Sequence, residues 1–120
     1  LPYGTFEMPM LMVLKLLKYF SEQNKPVSEI VKPFLKYFHS GEINTKVATR
    51  QQALDKIEEI KIKYADGKQI YIDGVSVEYP DHWFNLRVSN TEALIRLTVE
   101  ARSEELMKQK TEELLELIRK

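Results

Sequence analysis

Residues 83 to 101 read W-F-N-L-R-V-S-N-T-E-A-L-I-R-L-T-V-E-A, in which two alternating runs flank a short polar segment. In both runs apolar side chains fall on every second position, with polar ones between them. Such alternation is typical of strands that have one face on a core and one in water. The pattern predicts two strands, Trp83 to Val88 and Leu94 to Ala101, joined by a turn.

The turn between these strands is dense in hydrogen-bonding groups. Arg87 and Ser89 lie on the same face of the first strand by period two, so their side chains converge. A guanidinium can hold two phosphate oxygens at once, and the hydroxyls of Ser89 and Thr91 can each donate one bond. Asn90 tolerates a positive φ, and a tight turn can add backbone N–H groups. The turn is therefore a candidate phosphate site.

Plainer interpretations of the same residues remain open. Polar turns are common, and Arg87 could pair with Glu92 or Glu100 while its neighbours only close the hairpin. Arg96 could approach a ligand or pair with Glu100, and the sequence leaves both possibilities standing. His82 has no nucleophile or paired carboxylate near it in sequence, so we predict that it is a surface or packing residue.

The rest of the pattern predicts an α+β domain from Ser40 to Lys120. Thr49 begins a capping-box pattern that opens an amphipathic helix, and Ser103 caps a last helix. Further strands are predicted at Ile43 to Val47, Ile70 to Asp73 and Val75 to Tyr79. We expect about four strands, mainly antiparallel, with the two helices on one face of the sheet.

Residues 1 to 39 have a different character. The segment from Glu7 to Phe20 is apolar on nearly every face, which indicates a helix that needs partners on two sides. A second helix is predicted from Val27 to Phe38, with Pro33 able to kink it. We interpret these one or two helices as the end of a preceding domain. Because the chain starts with Leu1, we expect it to begin within something larger.

Composition limits the classes of function. Lys plus Arg (18) equals Asp plus Glu (18), so no global field favours nucleic acid or an anionic membrane, and we predict neither as a partner. The chain has no cysteine, which is compatible with the cytoplasm. His39 and His82 are far apart, and Asp73 beside Gly74 supplies too few oxygens for a metal. We predict a turn at Asp73-Gly74 and no metal site.

Three ordered motifs resemble those of one family. The string at residues 83 to 101 closely resembles the signature of the carboxy-terminal domain of the α-D-phosphohexomutases, bacterial phosphomannomutase/phosphoglucomutase in particular. S-G-E-I-N at 40 to 44 and D-G-V-S-V-E at 73 to 78 are similar to strings at the corresponding places in that family. The apolar first helix resembles the last part of the family's third domain, so the resemblance covers nearly the whole chain.

The resemblance implies a role in a larger enzyme. Members are four-domain isomerases that interconvert hexose 6-phosphate and hexose 1-phosphate by intramolecular phosphoryl transfer. They use a phosphoserine, Mg²⁺ and a bisphosphorylated hexose activator. The fourth domain grips the phosphate that is not transferred and closes the cleft. The implied partners are therefore a hexose phosphate and the three preceding domains.

Carried over to this sequence, the resemblance assigns the phosphate to Arg87, Ser89, Asn90 and Thr91. Glu92 would support the loop, and Ala93 departs from the family's usual proline. The loops that carry the phosphoserine, bind Mg²⁺ and read the sugar hydroxyls have no counterpart here. We therefore expect no catalytic residue, metal or other cofactor in these 120 residues, and no mutase activity from them alone.

Two rival interpretations belong to other classes of protein. The domain could be a stand-alone module that recognises phosphoprotein or another anionic partner through the same turn. It could also serve assembly, with the apolar first helix buried in a dimer and the turn serving only as a turn. Neither rival requires a catalytic parent.

Overall fold

The computed structural model describes residues 8 to 120; residues 1 to 7, including the predicted helix start at Glu7, lie outside the described residues. The chain divides into two compact units, Leu1–Lys36 and Tyr37–Lys120. The second unit thus begins at Tyr37 rather than at Ser40, because a two-residue strand ahead of Ser40 pairs within its sheet.

The described residues of the first unit, 8 to 36, form two helices and a 3₁₀ turn. They are α1 (Pro9–Ser21), α2 (Val27–Val31) and the 3₁₀ turn Lys32–Phe34. The helix that we predicted over 27 to 38 is therefore shorter, since Pro33 lacks the N–H that an α-helix would need there. Within the described part of the chain, no helix combines the length and the apolar character needed to span a bilayer.

The second unit is built on an antiparallel sheet. Its strands are β1 (Phe38–His39), β2 (Ile43–Lys46), β3 (Lys68–Ile70), β4 (Val75–Glu78), β5 (His82–Val88) and β6 (Leu94–Ala101). The order is β1-β6-β5-β4-β3, and β2 also pairs with β6. Two helices, α3 (Arg50–Lys63) and α4 (Glu104–Arg119), complete the unit. The predicted α+β class is confirmed.

The sheet has six strands where about four were expected. The strand predicted at 43 to 47 is β2, whereas β1 was not predicted. β1 and β2 both pair with β6 and lie end to end along it, separated by Gly41 at a φ of 73°. Ser40 bridges the gap, because its N–H donates to the Val99 carbonyl and its hydroxyl accepts from the Val99 N–H, both at 2.9 Å. The predicted strand at 70 to 73 is wrong, since β3 ends at Ile70.

The core lies between one face of the sheet and the two helices. In β5 and β6 the pairs Phe84–Val99 and Leu86–Leu97 face each other, and all four side chains are fully buried. The residues that the helices contribute to this cluster are Ala53, Ile57, Ile60, Leu114 and Ile118. Burial of large apolar side chains is worth about 2 kcal/mol each, so this layer fixes the register of β5 against β6.

Both helix starts have the predicted caps. The Thr49 hydroxyl accepts from the Gln52 N–H at 3.1 Å, and the Gln52 side chain in turn accepts from the Ala48 N–H at 2.8 Å. The Ser103 hydroxyl accepts from the Leu106 N–H at 3.2 Å. These bonds satisfy N–H groups that a helix leaves free at its first turn.

A hydrogen bond joins the two helices on the core side. The buried Tyr64, just after α3, donates through Oη to Oε1 of Glu113 on α4 at 2.6 Å. This bond holds the pKa of the Glu113 carboxyl below its usual range, with Lys110 as a further partner at 2.9 Å. Because the folded-state pKa is lowered, the associated stability is present above the ordinary value of 4.5 and is lost as the pH falls below it.

We expect Tyr64→Phe to lower the free energy of unfolding by about 1 kcal/mol near neutral pH, since one hydrogen bond is lost and Lys110 still serves Glu113. Urea unfolding at about pH 7 and about pH 4 measures the effect. The variant should lose less stability on acidification than the unaltered chain. An equal loss in both proteins would show that this bond does not carry the acid dependence.

Candidate functional site

The connection between β5 and β6 is hydrogen-bonded at its two ends and exposed in its middle. The Ser89 N–H donates to the Leu94 carbonyl at 3.0 Å, and the Val47 N–H donates to the Ala93 carbonyl at 3.0 Å. Asn90 and Thr91 are exposed at the tip. Within residues 8 to 120 positive φ is confined to glycine, so Asn90 does not use the conformation that its presence suggested.

Ser89 is 4% exposed, yet its hydroxyl is only loosely engaged. Its Oγ lies 3.4 Å from the Thr91 Oγ1 and 3.4 Å from the Thr91 backbone N. Both distances are at the long end for hydrogen bonds. The two hydroxyls are thus side by side and able to turn toward a better acceptor.

A pocket of about 190 Å³ opens against this connection. Its lining residues are Asp73, Arg87, Val88, Ser89, Asn90, Thr91 and Arg96. All four residues predicted to bind phosphate therefore line one cavity. The volume is several times the ≈ 30 Å³ that one water molecule occupies in the liquid, so a small polyatomic anion has room. Larger cavities elsewhere, such as one of about 450 Å³ beside the end of α4, lack these residues.

Two arginines face each other in the pocket. Arg87 on β5 and Arg96 on β6 are direct cross-strand partners. Like charges in that arrangement repel, and a counter-charge is needed. Glu42 provides it: Oε2 is 2.8 Å from Nη2 of Arg87, and Oε1 is 3.7 Å from Nη1 of Arg96. The contact lowers the pKa of Glu42 and raises the pKa of Arg87.

Arg87 has a second carboxylate partner. Its Nη1 donates to Oδ2 of Asp73 at 3.1 Å. The plainer interpretation named Glu92 or Glu100 as its partner, and the structure shows neither in that role. Glu100 instead accepts from the indole N–H of Trp83 at 2.9 Å. Arg87 keeps about a third of its side chain exposed, so it lies at the surface of the pocket and not in the interior.

Glu92 contributes to the connection through its backbone. Its carbonyl accepts from the Leu94 N–H at 2.9 Å, and its side chain is exposed. This contact closes a tight bend before β6. Support of the loop by the Glu92 side chain stays a prediction.

Arg96, for which the sequence left two roles open, lines the pocket. Its Nε is buried, and no hydrogen-bond partner for it is found among the described residues. A buried N–H without a partner is unusual and marks a position where an acceptor would be stabilised. The signal was available in the hairpin: pairing the two strands across a five-residue connection places Arg96 opposite Arg87.

A second polar cavity of about 360 Å³ adjoins the first along the open face of the sheet. Its lining residues are Glu42, Asp73, Ser76, Trp83, Asn85, Arg87 and Thr98. Trp83 is half-buried there rather than in the core. The shared Arg87 and Asp73 make the two cavities one continuous polar surface.

His82 is a packing residue, as predicted. Its ring stacks on Tyr79 with centroids 4.7 Å apart and planes 6° from parallel. Its Nδ1 is 2.7 Å from Oδ1 of Asp81. Over residues 8 to 120, no group of three or more His, Cys, Asp or Glu side chains is placed to hold a metal ion.

Comparison with known proteins gives consistent matches. Residues 42–117 match the family described as "Phosphoglucomutase/phosphomannomutase, C-terminal domain". The chain is 46% identical over 117 residues to the phosphomannomutase of Methanocaldococcus jannaschii, an alignment covering 98% of this chain and 25% of that protein. It is 38% identical over 98 residues to the phosphomannomutase of Escherichia coli K12, covering 80% and 21%.

A solved structure shows the same fold. The crystal structure of a phosphoglucomutase/phosphomannomutase family protein from Burkholderia thailandensis superposes with a TM-score of 0.68 at 23% identity, covering 98% of this chain and 24% of that one. The chain therefore spans about a quarter of the length of the proteins that it matches.

Proposed function

The chain belongs to the phosphoglucomutase/phosphomannomutase family, as its C-terminal domain, and from that premise we propose that the β5–β6 connection grips the phosphate of a hexose phosphate that is not being transferred. One observation carries the proposal. One open pocket is lined by Arg87, Ser89, Asn90 and Thr91, and Arg96 also lines it. We therefore include Arg96 in the proposed site.

The chemistry of the pocket suits a phosphate monoester. Two guanidinium groups supply charge and paired N–H donors, and guanidinium geometry matches two phosphate oxygens. The loosely bonded hydroxyls of Ser89 and Thr91 add neutral donors. With the pocket open to water, one phosphate should bind weakly, since solvent screens the charges. In the intact enzyme, simultaneous contacts to both ends of a bisphosphate would raise the affinity.

We place this domain in an isomerase that interconverts hexose 6-phosphate and hexose 1-phosphate in the cytoplasm. The phosphoserine, the Mg²⁺ site and the bisphosphorylated hexose activator would then belong to the three other domains. Mg²⁺ does not fit the described residues of this chain. The two acids that contact Arg87, Glu42 and Asp73, each form an ion pair with it, and Mg²⁺ needs several free oxygens.

We further propose that the first unit, residues 1 to 36, is the end of the third domain. Helix α1 has no buried residue in its own unit, although most of its side chains are apolar. Exposed apolar surface of this extent normally belongs to an interface. Packing against the rest of a third domain would remove that surface from water.

A chimeric enzyme tests the proposal. The quarter of the M. jannaschii phosphomannomutase that matches this chain is replaced by it, and turnover of hexose phosphates is measured. We expect an active chimera, and we expect Arg87→Ala in it to lower kcat/KM by about tenfold or more. Arg102→Ala, at an exposed arginine away from the pocket, is the matched control and should leave kcat/KM unchanged.

Two results would contradict the proposal. One is a folded chimera without turnover, and the other is full activity in the Arg87→Ala chimera. Tight binding of a phosphopeptide by the 120-residue chain alone, together with an inactive chimera, would instead favour the stand-alone binding module.

A further inference from the structure

The two carboxylates that hold Arg87 occupy different positions relative to the phosphate pocket. Asp73 lines that pocket together with the β5–β6 connection, and its Oδ2 accepts from Nη1 of Arg87 at 3.1 Å. Both acids line the adjoining cavity, but Glu42 is not among the residues that line the phosphate pocket; it accepts from Nη2 at 2.8 Å. Asp73 is therefore a lining residue of the phosphate pocket, and Glu42 is not.

Backbone contacts fix the position of Asp73. The Asn85 side chain donates to the Asp73 carbonyl at 2.9 Å and to the Ser76 hydroxyl at 3.0 Å. Gly74 has a φ of 72°, and a Cβ on it would lie 2.1 Å from the Leu86 carbonyl oxygen. This close approach brings the bend before β4 onto β5 next to Arg87. The backbone of Asp73 is thus held next to Arg87, although the Asp73 side chain is 70% exposed.

We propose that Asp73 is the resident anion of the pocket: its carboxylate holds Arg87 until a phosphate displaces it, while Glu42 keeps its bond and fixes the guanidinium plane. This inference rests on the proposed function. It predicts that removing the charge of Asp73 strengthens phosphate binding, whereas removing the charge of Glu42 weakens it, although both acids contact the same arginine.

A resident carboxylate would give the site selectivity. An entering anion gains only the difference between its own bonds and those that Asp73 gives up. A phosphate dianion offers more charge and more oxygens than a carboxylate, so the exchange favours it. Acetate or another carboxylate offers what Asp73 already provides and gains little. The contact between Asp73 and Arg87 thus weakens the binding of carboxylates more than that of phosphate, and it also lowers the affinity for phosphate somewhat.

The test is a titration of the full 120-residue chain with inorganic phosphate, followed through backbone amide shifts. Asp73→Asn and Glu42→Gln each remove one negative charge next to Arg87 at nearly constant shape. We expect Asp73→Asn to lower the Kd for phosphate by about threefold or more at low salt, and Glu42→Gln to raise it by about threefold. Acetate should compete with phosphate in Asp73→Asn far better than in the unaltered chain.

The contrast between the variants separates this inference from a simple charge effect, which would lower the Kd equally in both. Equal or weaker phosphate binding by Asp73→Asn would overturn the inference, as would equal tightening by the two variants. An unaltered chain that binds no phosphate would contradict the proposed function, and the inference with it. Binding by the unaltered chain with no gain in Asp73→Asn would contradict the inference alone.

Discussion

Gly74→Ala is expected to lower the free energy of unfolding by about 2 to 5 kcal/mol. Two effects add. The φ of 72° is strained for any residue with a Cβ, and the new Cβ would meet the Leu86 carbonyl oxygen at 2.1 Å and Cα of Arg87 at 2.8 Å. These neighbours are backbone atoms of the central strand β5, so the bend must move away. Urea unfolding measures the loss.

Gly41→Ala is a matched control for the backbone strain. Gly41 has nearly the same φ, 73°, yet a Cβ there would meet nothing within 4 Å. We expect its substitution to cost about 1 kcal/mol, which is the conformational term alone. The difference between the two losses in unfolding free energy then gives the cost of crowding the close contact between the bend at Gly74 and β5. Equal losses would mean that this approach is not tight.

Arg87→Ala is expected to raise the Kd for inorganic phosphate by about 10-fold to 100-fold. The variant removes the central pair of charged donors and leaves Ser89, Asn90 and Thr91 in place. Their amide shifts during a phosphate titration provide the measurement.

Arg87→Lys separates charge from geometry at the same position. Lysine keeps the charge but lacks the planar fork that contacts Glu42, Asp73 and a phosphate at once, so we expect it to recover only a small part of the binding. An amide spectrum with the dispersion of the unaltered chain establishes that both variants remain folded. Unchanged titration curves in Arg87→Ala would exclude this arginine from the site.

The central strands could be predicted closely because burial on one face leaves a period of two in the sequence. β6 runs over Leu94–Ala101 as predicted, and β5 begins one residue earlier, at His82. The strand predicted at 70 to 73 failed for a physical reason. Its β-branched and aromatic residues favour a strand, but the bend at Gly74 turns the chain, and Ile72 is 93% exposed.

Only the part of the candidate site that is contiguous in sequence could be predicted. Residues from Arg87 to Thr91 are neighbours in sequence, and their donor types together with the family resemblance suggested their role. Glu42 lies 45 residues from Arg87 in sequence, and Asp73 lies 14 residues away. Their contacts depend on the register of β2 against β6 and on the bend before β4, which no local pattern encodes.

A phosphate titration of the unaltered 120-residue chain tests the central claim most directly. Backbone amide resonances are followed as inorganic phosphate is raised at low and constant ionic strength, with chloride as the matched anion. We predict saturable shifts at Ser89, Asn90 and Thr91 with phosphate and none of that size with chloride. The absence of shifts at these three amides, or equal shifts with both anions, would contradict the claim that this connection is a phosphate site.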